Sequence, residues 1–185
     1  MFIQTEQTPN PATLKFLPGR TVLEVGTLEV TDPARAAETS PLARRLFEIE
    51  GVRGVYLAGD FVSVTKADEQ DWYVLKPALL GAIMDHFMSG EPVAFPEAVV
   101  ATAPASDADD ATVRKIKELL DTRVRPAVAH DGGDIVYHGF ERGVVYLHLK
   151  GACSGCPSSI VTLKNGIENL LRHYVPEVVE VRAIN

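Results

Sequence analysis

Cysteine is scarce in this chain: Cys153 and Cys156 are the only two in 185 residues. A disulfide framework is therefore excluded, and one bridge across so short a loop would remove little closure entropy. No apolar run approaches the roughly 20 residues that cross a bilayer, so no membrane partner is expected. The opening Met1-Phe2-Ile3-Gln4-Thr5-Glu6 has no basic n-region, no apolar h-region and no arginine, which does not fit a secretory signal or a mitochondrial presequence. The expected location is the bacterial cytoplasm, or the mitochondrial matrix if a presequence has been removed. No paired-carboxylate, Ser–His–Asp or phosphate-cradling pattern stands out, so no hydrolase or kinase chemistry is expected and a binding protein rather than an enzyme is the first expectation.

Apolar residues make up 46% and charged residues 23%, a balance that supports a buried core. The net charge is −7 and unevenly placed. Residues 1–109 carry 8 Lys+Arg against 16 Asp+Glu, or −8, whereas 110–185 carry 10 against 9, or +1. An acidic surface repels phosphate backbones, so no nucleic-acid partner is expected. It suits solubility or a basic protein partner.

Residues 91–110 are rich in Pro, Ala and acid without apolar periodicity, which predicts a linker between a first part (1–90) and a second (111–185). In the first part, strands are expected over Phe2 to Gln7, Thr13 to Leu17 and Val22 to Val25. Ser40-Pro41 reads as a helix cap with proline in the first turn, and Gly51 as a stop. Val52 to Leu57 and Phe61 to Lys66 read as a hairpin. Trp72, Leu75, Leu79, Ile83 and Phe87 form the stripe of a helix over 72–88. Asn10, between Pro9 and Pro11, is held to extended geometry and marks a rigid turn.

In the second part, Asp110 caps a helix with stripe Val113, Ile116, Leu120 and Val124, which Pro126 is expected to end. His130-Asp131-Gly132-Gly133-Asp134 reads as a turn whose glycines take unusual φ. A hairpin of Ile135 to Phe140 and Val144 to Lys150 follows. Pro157 opens a helix with Ile160, Leu163, Ile167, Leu170 and Tyr174 on one face, and Val178 to Ile184 is a last strand. Helices on one side of small mixed sheets make the expected fold class α+β, with two small domains and helix–hairpin–helix–strand order in the second.

The chemistry centres on Gly151-Ala152-Cys153-Ser154-Gly155-Cys156-Pro157. Two thiols three positions apart can bind one metal atom or neighbouring atoms of a cluster. Both lie at or before a helix N-terminus, whose dipole is expected to favour thiolate and an anionic cluster. Several readings stay open. Structural zinc needs four ligands, so two of His130, His138, His148 and His173 would have to join the cysteines. A thioredoxin-like dithiol oxidoreductase uses the same Cys-x-x-Cys pair, but its fold needs βαβ before its core hairpin, whereas here a helix and a hairpin precede the motif. An iron–sulfur cluster takes four thiolates, which two chains about a twofold axis would supply. Cys153 and Cys156 are then both the cofactor-binding and the metal-ligating residues. His148 reads as a solvated strand residue, and His130 as the best outside ligand candidate.

Several stretches of the chain resemble the NifU-like (Nfu) family of iron–sulfur cluster carriers. In the second part these are Arg125-Pro126-Ala127-Val128, Asp131-Gly132-Gly133-Asp134 and Gly151-Ala152-Cys153-Ser154-Gly155-Cys156-Pro157-Ser158-Ser159. In the first part, Thr8-Pro9-Asn10-Pro11, Leu14-Lys15-Phe16, Ser40-Pro41-Leu42-Ala43 and Val64-Thr65-Lys66 resemble the Nfu N-terminal domain. The resemblance implies a [4Fe–4S] cluster bridging two subunits, with a [2Fe–2S] form open. It implies a homodimer when loaded, an upstream scaffold that donates the cluster, and apo iron–sulfur proteins that receive it. Nothing in it covers residues 24–38 or the linker.

Overall fold

The computed structural model describes residues 1–100, 110–155 and 157–184, without the side chains of 157–159. The chain divides into two compact units, Met1–Thr102 and Ala103–Asn185. Both combine helices with sheet, so the fold is α+β as expected.

The first unit is built on an antiparallel sheet of β1 (Gln4–Gln7), β2 (Thr13–Leu17), β3 (Leu28–Val30), β4 (Val52–Leu57) and β5 (Val62–Lys66), ordered β1-β2-β5-β4-β3. Leu14 and Phe16, Val62 and Val64, and Val55 and Leu57 lie two apart along their strands and turn one face toward the helices. Leu42 and Leu46 of α2 (Pro41–Phe47) and Leu75, Leu79 and Ile83 of α3 (Trp72–Ser89) close that face. Ser40 caps α2 through Ala43 N–H at 2.9 Å. The Asn10 turn is tied locally: Ala12 N–H donates to Asn10 Oδ1 at 3.0 Å and Thr13 N–H to the Asn10 carbonyl at 3.0 Å.

Three expectations fail here. Val22 to Val25 is a loop whose Val22 and Leu23 N–H groups bond the Gly59 carbonyl; the strand is Leu28–Val30 instead. Helix α1 (Pro33–Thr39), capped by Asp32, was not expected at all; it is a single seven-residue helix with only Ala36 buried, too little apolar face to read from sequence. Residues 91–100 also do not run free. They form a strap on the first unit, with Val93, Ala94, Ala98 and Val99 packed on its core and Val100 bridged to Thr27. Residues 101–109 of the expected linker lie outside the described residues.

In the second unit β6 (Gly133–Glu141) pairs antiparallel with β7 (Val144–Gly151), and β8 (Glu180–Ile184) pairs parallel with β7. Ile135, Val145, Leu147, Leu149 and Val181 form a core with α4 (Ala111–Leu119) and α6 (Pro157–Tyr174). Pro126 does not end the first helix. A π-helical turn over Leu120–Val124 leads into α5 (Arg125–His130), with Arg125 N–H bonded to the Leu120 carbonyl. The wider turn accommodates a residue that lacks an N–H and would crowd the carbonyl four back. The deep contact of α6 is Leu171, fully buried, while Tyr174 is exposed and lies under Arg123.

Candidate metal centre

The β6–β7 ladder ends where Gly133 faces Gly151. Beyond it the chain folds into a short hydrogen-bonded loop. Ala152 N–H donates to the Gly132 carbonyl at 3.2 Å, Cys153 N–H to Lys150 at 3.3 Å, and Ser154 N–H to Gly151 at 3.1 Å. Ser154 Oγ adds a bond to the Gly151 carbonyl at 2.9 Å. Gly151 and Gly155 take left-handed φ of 62° and 81°, which a side chain would oppose. Helix α6 starts at Pro157.

Cys153 is 7% exposed and belongs to the second core. Burial, followed by the charges of Asp131 and Asp134, pushes its thiol up to about 12. The expected helix-dipole activation of this thiol is therefore overturned. Desolvation and like charge outweigh a dipole that fades beyond the first helical turn. Cys156, the second expected ligand, lies outside the described residues.

Asp134 stands beside the loop, nearly buried, and is held by Arg125 with Nε to Oδ1 at 2.9 Å and Nη2 to Oδ2 at 2.8 Å. Its Oδ1 also accepts Ile135 N–H at 2.8 Å. This pair escaped the sequence reading, because nine residues separate its members and no periodicity links them. Of the DGGD stretch, only Asp131 and Gly132 form the turn; Gly133 and Asp134 open the strand. His130 ends α5, and His148 sits half-exposed on β7 opposite Val136. A zinc site completed by two histidines would gather them with Cys153. Among the described residues no group of three His, Cys, Asp or Glu side chains is placed to hold a metal ion.

Two family models cover most of the chain. "Scaffold protein Nfu/NifU N terminal" matches residues 3–90, and "NifU-like domain" matches residues 116–182. The chain belongs to the Nfu/NifU family. Within that family it is 55% identical over 185 residues to the human "NFU1 iron-sulfur cluster scaffold homolog, mitochondrial", covering all of this chain and 72% of the relative. It is 51% identical over 184 residues to the Drosophila virilis protein of the same description, covering 62% of that relative. The solution NMR structure of a NifU-like protein from Saccharomyces cerevisiae aligns with 52% of this Nfu/NifU chain and 86% of its own, at 24% identity and a TM-score of 0.47. No helix among the described residues is long and apolar enough to cross a membrane.

Proposed function

We propose that this chain carries an iron–sulfur cluster as cargo, bound through Cys153 and Cys156, and hands it to apo-proteins. The observation that carries this reading is similarity over all 185 residues of this chain, at 55% identity, to a relative described as an iron–sulfur cluster scaffold, in a chain whose only thiols form one Cys-x-x-Cys pair. Soft thiolates suit iron–sulfur chemistry. One chain offers two of them and a cluster takes about four, so the loaded form is a homodimer sharing one [4Fe–4S] unit, with [2Fe–2S] as the smaller variant. The role is binding and delivery rather than catalysis. An upstream scaffold donates the cluster and apo iron–sulfur proteins receive it. The human and Drosophila virilis relatives are described as mitochondrial, which supports a mitochondrial location over the bacterial cytoplasm. Residues 111–185 form the cluster-binding domain, and the acidic first part selects partners.

The residues of this chain contribute in distinct ways. The hydrogen-bonded loop presents Cys153, and burial keeps it a thiol while it is empty. Iron binding must then expel the proton, which couples uptake to pH. Losing one subunit removes half the ligands at once, which favours transfer over retention. The dithiol oxidoreductase alternative needs a thiolate near neutral pH, and a thiol pushed up to about 12 works against it.

Anaerobic reconstitution tests the reading. A brown dimer with about four iron and four sulfide per two chains is expected. It should activate an apo-enzyme that needs a [4Fe–4S] cluster in the presence of an iron chelator, and Cys153→Ser and Cys156→Ser should abolish this. A colourless protein with one tightly bound zinc overturns the proposal, as does a stable redox-active dimer that transfers to no acceptor.

A further inference from the structure

The two glycines of the Asp131–Asp134 stretch serve different purposes. Gly132 takes a left-handed φ of 82° at the end of α5, where a side chain is strained. Gly133 is not among the left-handed glycines, and its backbone, inside β6, accepts any residue. Its constraint is space. A Cβ there would lie 2.6 Å from Cys153 Sγ, 2.7 Å from the Lys150 carbonyl oxygen and 3.0 Å from the Cys153 nitrogen. Real Cβ atoms do not approach so closely, so something must move.

We infer that Gly133 is a positioning residue for the Cys153 thiol: the sulfur rests in the space its missing side chain leaves, and this sets the direction in which the loop presents it. The consequence for cargo rests on the carrier reading above; the placement of the sulfur does not. Three neighbours converge on the same spot. Gly151 faces Gly133 across the ladder, so neither strand has a side chain there. The adjacent Gly132 carbonyl holds Ala152 at 3.2 Å, and the Lys150 carbonyl holds the Cys153 N–H at 3.3 Å. The backbone on both sides of Cys153 is thereby pinned. Of the crowded atoms, Sγ moves most easily, by rotation about the Cα–Cβ bond. That rotation clears only the sulfur; the Lys150 carbonyl oxygen at 2.7 Å is backbone and must shift as well. A methyl at position 133 therefore turns the thiol out of its seat and also strains the end of the ladder, and the sulfur's share is the part that depends on Cys153. Gly139, on the same strand, is the contrasting case: a Cβ there meets nothing within 4 Å.

The first test uses the metal-free, full-length chain carrying Cys156→Ser, so that Cys153 is the single thiol. Under native conditions Gly133→Ala should speed iodoacetamide alkylation of Cys153 by roughly tenfold, since overpacking strain is relieved by exposing the sulfur. Gly139→Ala should leave the rate within about twofold. An unchanged rate in a folded Gly133→Ala protein overturns the inference.

The second test is a double-mutant cycle in thermal denaturation. Gly133→Ala should lower Tm less when Cys153→Ala has already removed the sulfur. Equal losses in both backgrounds, or failure to fold in both, would assign Gly133 to the ladder backbone and overturn a role at the thiol. With both cysteines present, reconstituted Gly133→Ala should hold less iron per chain than Gly139→Ala. If the wild-type chain takes up no cluster, the carrier reading fails while the alkylation and the cycle still decide the placement.

Discussion

Arg125 grips Asp134 through two parallel hydrogen bonds, at 2.9 and 2.8 Å, and so ties the first turn of α5 to the first residues of β6. Arg125 Nη1 reaches Asp121 at 3.2 Å as well. The Asp134 side chain is 6% exposed and that of Arg125 is 23% exposed, so this is a nearly buried pair rather than a surface one. Removing the cation strands a buried carboxylate. Arg125→Met should destabilise the second unit by about 3 kcal/mol. Arg125→Lys should do less but still fall short of wild type, because an ammonium cannot form the fork. The double variant Arg125→Met/Asp134→Leu should recover much of the loss. Urea midpoints of the four proteins check this; a fully stable Arg125→Met would refute it.

The hairpin between β6 and β7 turns on Arg142 and Gly143, with φ of 51° and 80°. Both central residues of such a tight turn need left-handed backbone, which suits Asn-Gly and strains arginine. The Arg142 side chain is 91% exposed, so little packing compensates. Arg142→Asn should stabilise the second unit by roughly 0.5–1 kcal/mol, read as a higher thermal midpoint. No gain, or a loss, would show that the turn relies on arginine for something other than geometry.

The strap of residues 91–100 has measurable weight. Phe95 N–H bonds the Thr39 carbonyl at 2.9 Å, and Thr27 and Val100 exchange bonds at 3.1 and 2.9 Å. A fragment of residues 1–102 should therefore be more stable than one of 1–90, by about 2 kcal/mol or roughly 10 °C in Tm. Gly26→Ala should reproduce part of the loss within the intact chain. A Cβ at Gly26 would sit 2.5 Å from the Val100 carbonyl oxygen, and its φ is 76°. Equal midpoints for the two fragments would reduce the strap to a passive tether.

His86, on α3, is fully buried, and its Nδ1 lies 3.9 Å from Glu91 Oε2, too far for a good hydrogen bond. Burial first, then Arg45, holds its pKa below 6.5, while Glu91 and the Pro92 backbone pull the other way. The native ring therefore stays neutral at a pH where the unfolded ring takes up a proton. Its contribution is fully present above pH 6.5 and is lost as pH falls below that value toward the folded pKa. The slope from this one group is at most about 1.4 kcal/mol per pH unit. His86→Leu should flatten the fall in stability of the first unit between neutral pH and pH 5. An identical slope in the variant would move the acid sensitivity to another group.

Local rules made much of the fold legible. Strand β2, the turn into α2 at Ser40-Pro41 and the start of α3 at Trp72 stand where expected, because each is set by neighbours a few residues apart. The misses share a cause. Pro126 reads as a stop only if its helix must stay α-helical, and the π turn before it removes that premise. The strap has no periodicity of its own; it is held by Thr27, Thr39 and Ser40, residues distant in sequence. Leu28–Val30 is a three-residue strand that exists through pairing with β4.

At the site, the sequence by itself set a limit on the chemistry. With two cysteines, both in one motif, it can supply only half of a four-thiolate set, and this follows from composition alone. Tertiary structure decided the state of the thiol. Sequence proximity to a helix start argues for an activated Cys153. Folding instead buries it in the second core within reach of the charges of Asp131 and Asp134, and desolvation with like charge then dominates. The same holds for the double glycine. That the stretch needs glycine is visible in the letters, but that Gly132 needs it for φ and Gly133 for a sulfur twenty residues downstream emerges only when β6 and β7 are paired.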